Sequence, residues 1–379
     1  MASWYPNKTS PQAGNFIQKH AKAVATFSNV SVLHVVSRNQ KEDFVIEQNY
    51  NDTMLEVIVY YKKITSKIPL LSNFKKFKTQ LLAYEKGFEL VLKKLKKINL
   101  IHLNVIFPAG IFALHLKKKM NIPYLITEHW TAFLKSDPNK ITEVQKYYIK
   151  KISVNAECIC PVSEDLKIAM MDFGINNKLT VIPNVVNTEI FQLRKPTQTN
   201  KFFKILHISN LKDEQKNITG ILNVIKLLSN TRDDFKITIA GNGDTNKYQR
   251  LADELKIPEK VIQFEGEKST KEVAILMNQS NLFLLFSNYE NLPCVISESL
   301  VSGLPVLSSN VGGISEMINE NNGVLVEKEN ESELLEKLIK LIDRNRQFNH
   351  EALAKKANEI YSYETVGKSY YSIYQSILD

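Results

Sequence analysis

Two glutamates stand on either side of a predicted helix start, directly after a short apolar run. The stretch reads SNYENLPCVISESLVSGLPV, with Glu290 and Glu298 separated by seven residues and Leu282–Phe286 just before them. Such carboxylates suit an acid and base couple, two solvated charges, or hydrogen-bond acceptors for a molecule with hydroxyl groups. Hydrolysis of a glycoside needs both carboxylates to face one bond, which an intervening helix start does not favour. The other two interpretations stay open at this point.

The residues between the glutamates suit an anion. Pro293 fits the first position of a helix because its missing N–H is not needed there, so we predict a helix over Pro293–Val301. Its exposed amides carry a partial positive charge that suits a diphosphate. A nucleotide sugar has ribose hydroxyls and sugar hydroxyls on the two sides of its diphosphate, and carboxylates can accept hydrogen bonds from both. The predicted helix start is supplied by Leu292, Pro293, Cys294 and Val295.

Four further residues lie where a loop joins a predicted strand to a helix. Lys216 precedes a helix and suits a phosphate, while Gly14 and Gly241 permit tight turns and close backbone approach. His129 follows Glu128 at the end of the strand in ITEHW. Each residue has a simpler interpretation, since loop lysines are usually solvated, glycines make turns and a single histidine is more often structural. For Lys216 and Gly14, taken alone, the simpler interpretation is favoured.

The order of apolar and amphipathic segments predicts the scaffold that positions these residues. Short apolar runs alternate with amphipathic segments, which is typical of an α/β protein with parallel sheets. Strands are predicted at residues 30–36, 44–46, 55–61, 101–105, 124–127, 158–162, 179–182, 203–208, 236–240, 261–264, 282–286, 306–308 and 323–326. Helices are predicted at residues 16–25, 75–95, 110–119, 142–154, 164–173, 218–228, 246–255, 271–278, 293–301, 314–318, 331–343, 351–360 and 363–378.

A break in this pattern predicts two domains. The polar stretch Arg194–Asn200 (RKPTQTN) is expected to be a linker between domains at residues 1–195 and 196–362. Both read as doubly wound, Rossmann-like domains facing an interdomain cleft, with ligands at the carboxyl ends of the strands. The helix within residues 363–379 is expected to pack back onto the first domain. Only Ala2–Tyr5 precede the first loop, which predicts either a very short first strand or a start inside the strand.

Composition excludes several classes of protein. The chain has 379 residues, 44% hydrophobic and 23% charged, which suits two globular domains. It contains no apolar run long enough to span a bilayer and no visible secretory signal. Three cysteines are too few for a disulfide framework; Cys158 and Cys160 read as core residues, and no metal site is predicted. A reducing cytoplasm is expected.

The net charge of +9 is unevenly distributed. Between Lys62 and Lys97 there are eleven lysines against Glu85 and Glu89, with apolar residues interleaved. The simpler interpretation is a solvated helix face whose other side packs on the core. The functional interpretation is a surface for anionic lipid at the inner face of a membrane, since no nucleic-acid-binding motif accompanies the lysines.

Several motifs together resemble the glycosyltransferases of family 4, which have the two-domain GT-B fold. The most specific is ENLPCVISE followed by SLVSGLPVLSSNVGGISEMI; PVSEDL, VIPNVVNTEIF, ITEHW and the pair Lys216–Asn217 match other positions. The resemblance covers nearly the whole chain. It implies transfer of a sugar from a nucleotide sugar with retention of configuration, and a second domain that binds the donor.

The resemblance also implies a role for each residue. Glu298 would bind the donor ribose, Glu290 the transferred sugar near the reaction centre, and His129 would lie near donor sugar and acceptor. Lys216 would neutralise the diphosphate, helped by the amides of residues 292–295 and by the Gly14 loop. Gly241 is grouped with these donor-binding positions. No cofactor and no divalent metal are expected beyond the donor substrate.

The sequence departs from the family pattern just before Lys216. Members usually carry an arginine just ahead of the lysine, where this chain has Ser209–Leu211, and Lys212 is the nearest replacement. Two alternatives therefore stay open beside sugar transfer: a nucleotide-sugar epimerase of the same fold, and a non-catalytic sugar-binding homologue. The acceptor is expected to be a glycan or a lipid-linked molecule in surface-polysaccharide or lipopolysaccharide assembly. The expected location is the cytoplasm, with peripheral contact to the membrane.

Overall fold

The structure is a computed structural model, and it describes residues 1–51, 54–64, 69–193, 202–343 and 347–379, with the backbone alone at 51 and 69–74. The chain divides into two compact units. Unit 1 comprises Met1–Val162, Leu166–Pro183 and Tyr363–Asp379, and unit 2 comprises Ser163–Asp165 and Asn184–Ser362. The predicted linker at Arg194–Asn200 and the boundary at residue 195 lie outside the described residues, so this division stays a prediction.

The described strands of unit 1 form two three-stranded sheets. In the first, β1 and β2 lie on opposite edges of β3, β1 parallel and β2 antiparallel to it; in the second, β4, β5 and β6 are parallel in that order. The strands are β1 (Val30–Arg38), β2 (Phe44–Asn51), β3 (Met54–Lys62), β4 (Ile101–Asn104), β5 (Tyr124–Glu128) and β6 (Ile159–Pro161). The strand predicted at residues 179–182 is reduced to an isolated bridge between Leu179 and Ile159.

The first residues of the chain join the two sheets of unit 1. Ala2 forms parallel bridges with both His34 on β1 and Asn104 on β4. The backbone N–H of Ala2 donates to Leu33 O at 3.0 Å, and that of Ser3 donates to Asn104 O at 3.0 Å. Met1–Ser3 therefore form a short stretch of extended chain that bonds to both β1 and β4.

Helices cover both faces of these sheets. The helices of unit 1 are α1 (Asn15–Ala25), α2 (Pro69–Leu95), α3 (Gly110–Met120), α4 (Glu143–Val154), α5 (Glu164–Asp172, whose first two residues belong to unit 2) and α14 (Tyr363–Leu378). Near Gly367, α14 approaches α1 so closely that a side chain there would collide with the Ala23 carbonyl group. Within the described ranges, no helix combines the length and apolarity that crossing a bilayer requires.

Unit 2 contains one six-stranded parallel sheet. Its strands are β7 (Phe203–Ser209), β8 (Phe235–Gly241), β9 (Ile262–Glu265), β10 (Leu282–Leu285), β11 (Val306–Ser309) and β12 (Gly323–Val326). Their order is β9-β8-β7-β10-β11-β12, which is 3-2-1-4-5-6 when counted from the first strand of the unit. This is a doubly wound order, and it reverses between β7 and β10; ligands bind such sheets at the carboxyl ends beside that reversal.

Apolar side chains on both faces of this sheet pack under helices. One face buries Ile205, Ile237, Leu282 and Leu284, and the other buries Leu206, Phe283 and Leu285, all at most 1% exposed. The helices of unit 2 are α6 (Asp213–Lys216), α7 (Ile218–Ser229), α8 (Thr245–Glu254), α9 (Thr270–Gln279), α10 (Cys294–Val301), α11 (Ile314–Met317), α12 (Glu331–Ile342) and α13 (His350–Tyr361). Burial on both faces explains why these strands are continuous apolar runs without alternation.

Candidate active site

The carboxyl ends of β7 and β10 bring two charged residues into contact. Lys216 is the last residue of α6, and its Nζ forms an ion pair with Oε1 of Glu290, which lies in the loop after β10. Lys216 is 8% exposed and Glu290 is 5% exposed. Ser287 Oγ also donates to Glu290 Oε1 at 2.8 Å. The solvated-charge interpretation is therefore wrong for both residues, since burial of a charge is costly unless it is paired.

Hydrogen bonds to neighbouring elements hold the loop that carries Glu290. The backbone N–H of Asn288 donates to Gln215 O at 2.8 Å, which ties the loop to α6. Ser309 Oγ at the end of β11 donates to Ser287 O at 2.6 Å. The loop is thus tied on one side to the segment that carries Lys216 and on the other to the next strand.

Two adjacent glycines let a further loop lie directly against Glu290. Gly312 has φ +53°, and a side chain there would overlap the Glu290 carbonyl oxygen. Gly313 N–H donates to Asn291 O at 2.9 Å, an approach that leaves 2.8 Å between that oxygen and any added Cβ. Glycine is required at Gly312 because the position combines a left-handed backbone with close contact.

The helix between the two glutamates begins one residue later than predicted. Pro293 has φ −69° and ψ 119°, so it is the N-cap residue, and Cys294 is the first residue of α10. Its ring still suits the helix start, but the extended ψ places it outside the helix. No side chain caps α10 in the described structure. Ile296 N–H of the first turn donates to Pro293 O at 3.0 Å, and the partial positive charge at a helix start is suited to an anion.

The residues around this helix start differ in exposure. Leu292 is 6% exposed and its carbonyl accepts from Asn184 Nδ2 at 2.7 Å, whereas Cys294 and Val295 are half-buried. Glu298 is the fifth residue of α10 and is 6% exposed. Both glutamates are therefore buried, one before the helix start and one inside the helix.

The segment after β7 lacks the arginine that family members usually carry ahead of the lysine, and a neutral histidine and a serine lie beside it. His207 Nδ1 lies 2.9 Å from Leu284 O and donates to it, so Nε2 accepts from Ser209 Oγ at 2.8 Å. Burial lowers the pKa of His207 to about 4, so this histidine is neutral. Ser209 Oγ in turn accepts the Leu211 N–H at 3.1 Å. Lys212 is exposed, and Lys216 is the buried cation here.

Packing of β8 against β7 explains by itself why residue 241 is a glycine. It ends β8 opposite Ser209, and a side chain there would overlap the Ser209 carbonyl oxygen. Its φ of +151° is also one that other residues rarely adopt. The close backbone approach expected for this glycine is present, and its partner is β7.

In unit 1, His129 lies at the end of β5 beside a buried carboxylate. Glu128 Oε1 accepts the backbone N–H groups of His129 and Trp130 at 2.8 Å each, and Oε2 accepts that of Ile106 at 2.9 Å. Burial raises the pKa of Glu128 to about 7, although these three donors oppose the shift. The His129 ring is 4.6 Å from that of Phe16, centroid to centroid. Glu128 thereby fixes the backbone from which His129 projects.

Gly14 lies at the start of α1, two residues before Phe16. It is the N-cap residue with φ 64° and ψ 27°, and an added Cβ would lie 2.6 Å from the Trp4 carbonyl carbon. A tight turn against Trp4 therefore explains the glycine by itself. Gly14 and His129 both adjoin the Phe16 segment of unit 1, whereas the remaining predicted site residues lie in unit 2.

Several residues that hold the site were not predicted from the sequence. Ser287 bonds the Glu290 carboxylate, Gln215 and Ser309 hold its loop, and Asn184 holds Leu292. The signal that could have found them is weak: each is a short polar residue near the end of a strand or helix. Their partners are mostly distant in the sequence, so the contacts follow from the sheet order.

Comparison with known proteins identifies the family. Residues 188–360 match the description glycosyl transferases group 1, and residues 32–190 match glycosyltransferase family 4. This chain belongs to the glycosyltransferases of family 4. The two matches together run from residue 32 to residue 360, as the motif resemblance predicts.

This glycosyltransferase is similar to several proteins whose names differ from one another. It is 28% identical to an uncharacterised glycosyltransferase of Methanocaldococcus jannaschii over 79% of each chain. It is 26% identical to the alpha-monoglucosyldiacylglycerol synthase of Streptococcus pneumoniae over 79% of this chain and 71% of that one. The solved sucrose-phosphate synthase of Thermosynechococcus elongatus aligns with a TM-score of 0.74, 18% identity and coverage of 96% and 92%. The architecture is the GT-B fold, as expected from the sequence.

Proposed function

We propose that this glycosyltransferase moves a sugar from a nucleotide-sugar donor to a glycan or lipid-linked acceptor with retention of configuration. The proposal rests above all on the buried Lys216–Glu290 ion pair, which lies where the strand order of unit 2 reverses, close in sequence to the uncapped start of α10. These features combine a cation, the start of a helix and a carboxylate, which are the groups that a sugar diphosphate requires.

Donor binding follows from the position of each group. The diphosphate takes the first-turn amides of α10 and draws Lys216 towards itself, so Glu290 becomes an acceptor for hydroxyls of the transferred sugar. Glu298 accepts hydrogen bonds from the ribose. Lys216 and the amides offset the negative charge that develops on the leaving diphosphate, which stabilises the transition state without a divalent metal.

The residues of unit 1 and the remaining glycine have supporting roles in this proposal. His129 contacts the transferred sugar or the acceptor, held in place by Glu128. The turn at Gly14 presents the amides at the start of α1 to the donor phosphate, and Gly241 lets β8 end close against β7 so that the donor can approach both strand ends.

The acceptor is proposed to be reached at the inner, cytoplasmic membrane surface, in assembly of surface polysaccharide. In the described part of Lys62–Lys97, α2 packs Tyr84, Phe88 and Val91 inward and leaves its lysines exposed. These three apolar residues thus belong to the core, whereas Leu82 is exposed beside the lysines, which remain to attract anionic lipid, each contributing about 1 kcal/mol near such a surface. The named product of the pneumococcal relative is a glucosyl lipid, which agrees with a lipid-linked acceptor.

A donor screen tests the proposal. Purified protein is mixed with UDP-, GDP- and ADP-sugars, and thermal stability is measured, because a ligand that binds the folded state raises the melting temperature. We expect one nucleotide class to raise it and to be released as free nucleotide when an acceptor is supplied. No shift with any donor would contradict the proposal. Product analysis without acceptor separates transfer from epimerisation, which neither matched family favours.

A further inference from the structure

A carboxyl group lies on an apolar face of the first sheet of unit 1. Glu56 belongs to β3 and is 6% exposed. The residues that alternate with it along β3, Met54, Ile58 and Tyr60, form one apolar cluster with Ile17 of α1. A carboxyl group in this setting is costly unless it is hydrogen-bonded, and no cation among the described residues pairs with it. Packing therefore does not explain why this residue is a glutamate.

Both hydrogen-bond donors to Glu56 come from the part of the chain around the first loop. Tyr5 Oη donates to Oε1, and Gln18 Nε2 donates to the same oxygen at 2.9 Å. Burial and the neighbouring carboxyl group raise the pKa of Tyr5 above its ordinary value, so its hydroxyl keeps the proton that it donates. Tyr5 precedes the loop, and Gln18 is the fourth residue of α1. One oxygen atom on β3 thus joins the two ends of residues 5–18, the first-loop segment.

Two further side chains fix the beginning of the first-loop segment. Tyr60, four residues after Glu56 on the same face of β3, accepts the Lys8 N–H at 3.0 Å. Asn7 Nδ2 donates to Tyr5 O at 2.9 Å. The segment is therefore held at both ends by Glu56, and Tyr60 adds an anchor between those ends.

The first-loop segment supports both proposed site residues of unit 1. Gly14 turns within it, close against the Trp4 carbonyl group. Phe16 places its ring 4.6 Å from that of His129, centroid to centroid. Phe16 is two residues before Gln18, so a shift of the segment moves the surface against which His129 packs. A displacement of about 1 Å at a reacting group can lower turnover by about 100-fold.

We propose that Glu56 is a positioning residue for sugar transfer, because it closes the first-loop segment and thereby fixes the Gly14 turn and the His129 ring. It acts through Tyr5 and Gln18 and touches neither donor nor acceptor. A carboxyl oxygen suits this role because it can accept two hydrogen bonds, whereas an apolar residue would leave both donors unpaired. This role rests on the proposed function, since Gly14 and His129 are the residues that it positions.

Three substitutions at Glu56 and Tyr5 test this role. Glu56→Leu removes the shared acceptor, Glu56→Gln keeps an acceptor oxygen, and Tyr5→Phe removes one of the two donors. With the donor found in the screen, we expect kcat to fall about 10- to 100-fold in Glu56→Leu, to fall less in Tyr5→Phe, and to stay within about threefold in Glu56→Gln. Affinity for the nucleoside diphosphate should stay within about fivefold in all three, since Lys216 and the start of α10 are unchanged.

Val57→Ala is the matched control for lost stability. Val57 is fully buried in β3, and neighbouring residues of a strand point to opposite faces, so this change leaves a cavity on the face away from Glu56. We expect it to lower stability in urea while kcat stays within about twofold. An unchanged kcat in Glu56→Leu, or an equal loss of kcat in Val57→Ala, would overturn the role of Glu56.

The His129 ring provides a measurement that does not depend on activity. In protein labelled with ¹³C-histidine, its resonances are sensitive to the ring current of Phe16, and His129→Gln assigns them. Glu56→Leu should move these resonances, whereas Glu56→Gln and Val57→Ala should leave them in place. If no donor is turned over, the proposed function fails, and these resonances still decide whether Glu56 positions His129. Resonances that do not move in Glu56→Leu would refute the positioning.

Discussion

Lys216 Nζ and Glu290 Oε1 form a buried ion pair between the segments that follow β7 and β10. The two residues are 74 positions apart in the sequence, and they meet because these strands are neighbours where the sheet order reverses. A buried pair of this kind is sensitive to loss of one partner, which leaves the other charge without compensation. In the proposed donor complex an anionic ligand opens this pair by replacing Glu290 as the partner of Lys216.

The first prediction concerns stability. Lys216→Met leaves Glu290 buried without its cation and should lower the free energy of unfolding by about 3–5 kcal/mol. Adding Glu290→Gln should recover part of that loss, which a double-mutant cycle in urea measures as non-additivity. The exposed pair Lys340–Glu336 on α12 is the matched control, and the same changes there should cost less than about 0.5 kcal/mol. Additive losses at Lys216 and Glu290 would contradict the coupling.

The second prediction separates the two glutamates. Glu298→Gln removes the charged group that we propose as acceptor for the ribose, and it should weaken binding of both the nucleoside diphosphate and the nucleotide sugar by about 10- to 100-fold. Glu290→Gln should keep the diphosphate affinity within a few-fold and lower turnover of the nucleotide sugar by about 100-fold. Calorimetry with the diphosphate, followed by steady-state kinetics with the donor found in the screen, distinguishes the two. Equal effects of both changes on the diphosphate would refute the division of roles.

The third prediction uses the contact between Gly312 and the Glu290 backbone. Gly312→Ala places a Cβ on the Glu290 carbonyl oxygen in a left-handed backbone, so the loop must move. We expect donor affinity to fall at least tenfold. Gly266→Ala is the control, because an added Cβ at Gly266 meets nothing within 4 Å. Unchanged donor affinity in Gly312→Ala would show that the position of this loop does not affect binding.

The fourth prediction concerns pH. Burial holds the pKa of His207 at about 4, below its ordinary value of 6.5, so the unfolded chain takes up a proton in this range that the folded chain does not. Stability is therefore fully present above pH 6.5 and is lost as the pH falls towards 4. His207→Gln should flatten this fall by up to about 1.4 kcal/mol per pH unit, whereas a change at the exposed His115 should not. Urea unfolding at several pH values measures both; identical slopes in the two variants would exclude His207 as a source.

The fifth prediction concerns the lysines of α2. Sedimentation with vesicles that contain anionic lipid should pull down the protein in a salt-dependent manner. Changing Lys75, Lys76 and Lys78 to Gln should weaken this binding about tenfold or more, without affecting the core. Neutral vesicles serve as the control. Binding that neither salt nor these changes affect would rule out the electrostatic surface.

Local patterns were sufficient to predict much of the scaffold. The helix beginning at Glu164, the strand at Leu282 and the terminal helix from Tyr363 to Leu378 lie where apolar spacing places them. The errors occur at element ends and edges: β2 runs on to Asn51, and the strand expected at residues 179–182 is only a bridge. Edge pairing depends on which neighbour is present, and that is not a property of the segment itself.

The sequence by itself determined the family, the GT-B fold and the candidate residues, because these depend on short motifs and on apolar periodicity. It left open whether Glu290 and Lys216 are solvated charges, and it assigned no role to Ser287. Only the tertiary structure decided these points. Strand order sets which loops become neighbours, and burial then decides that the two charges must pair rather than remain in water.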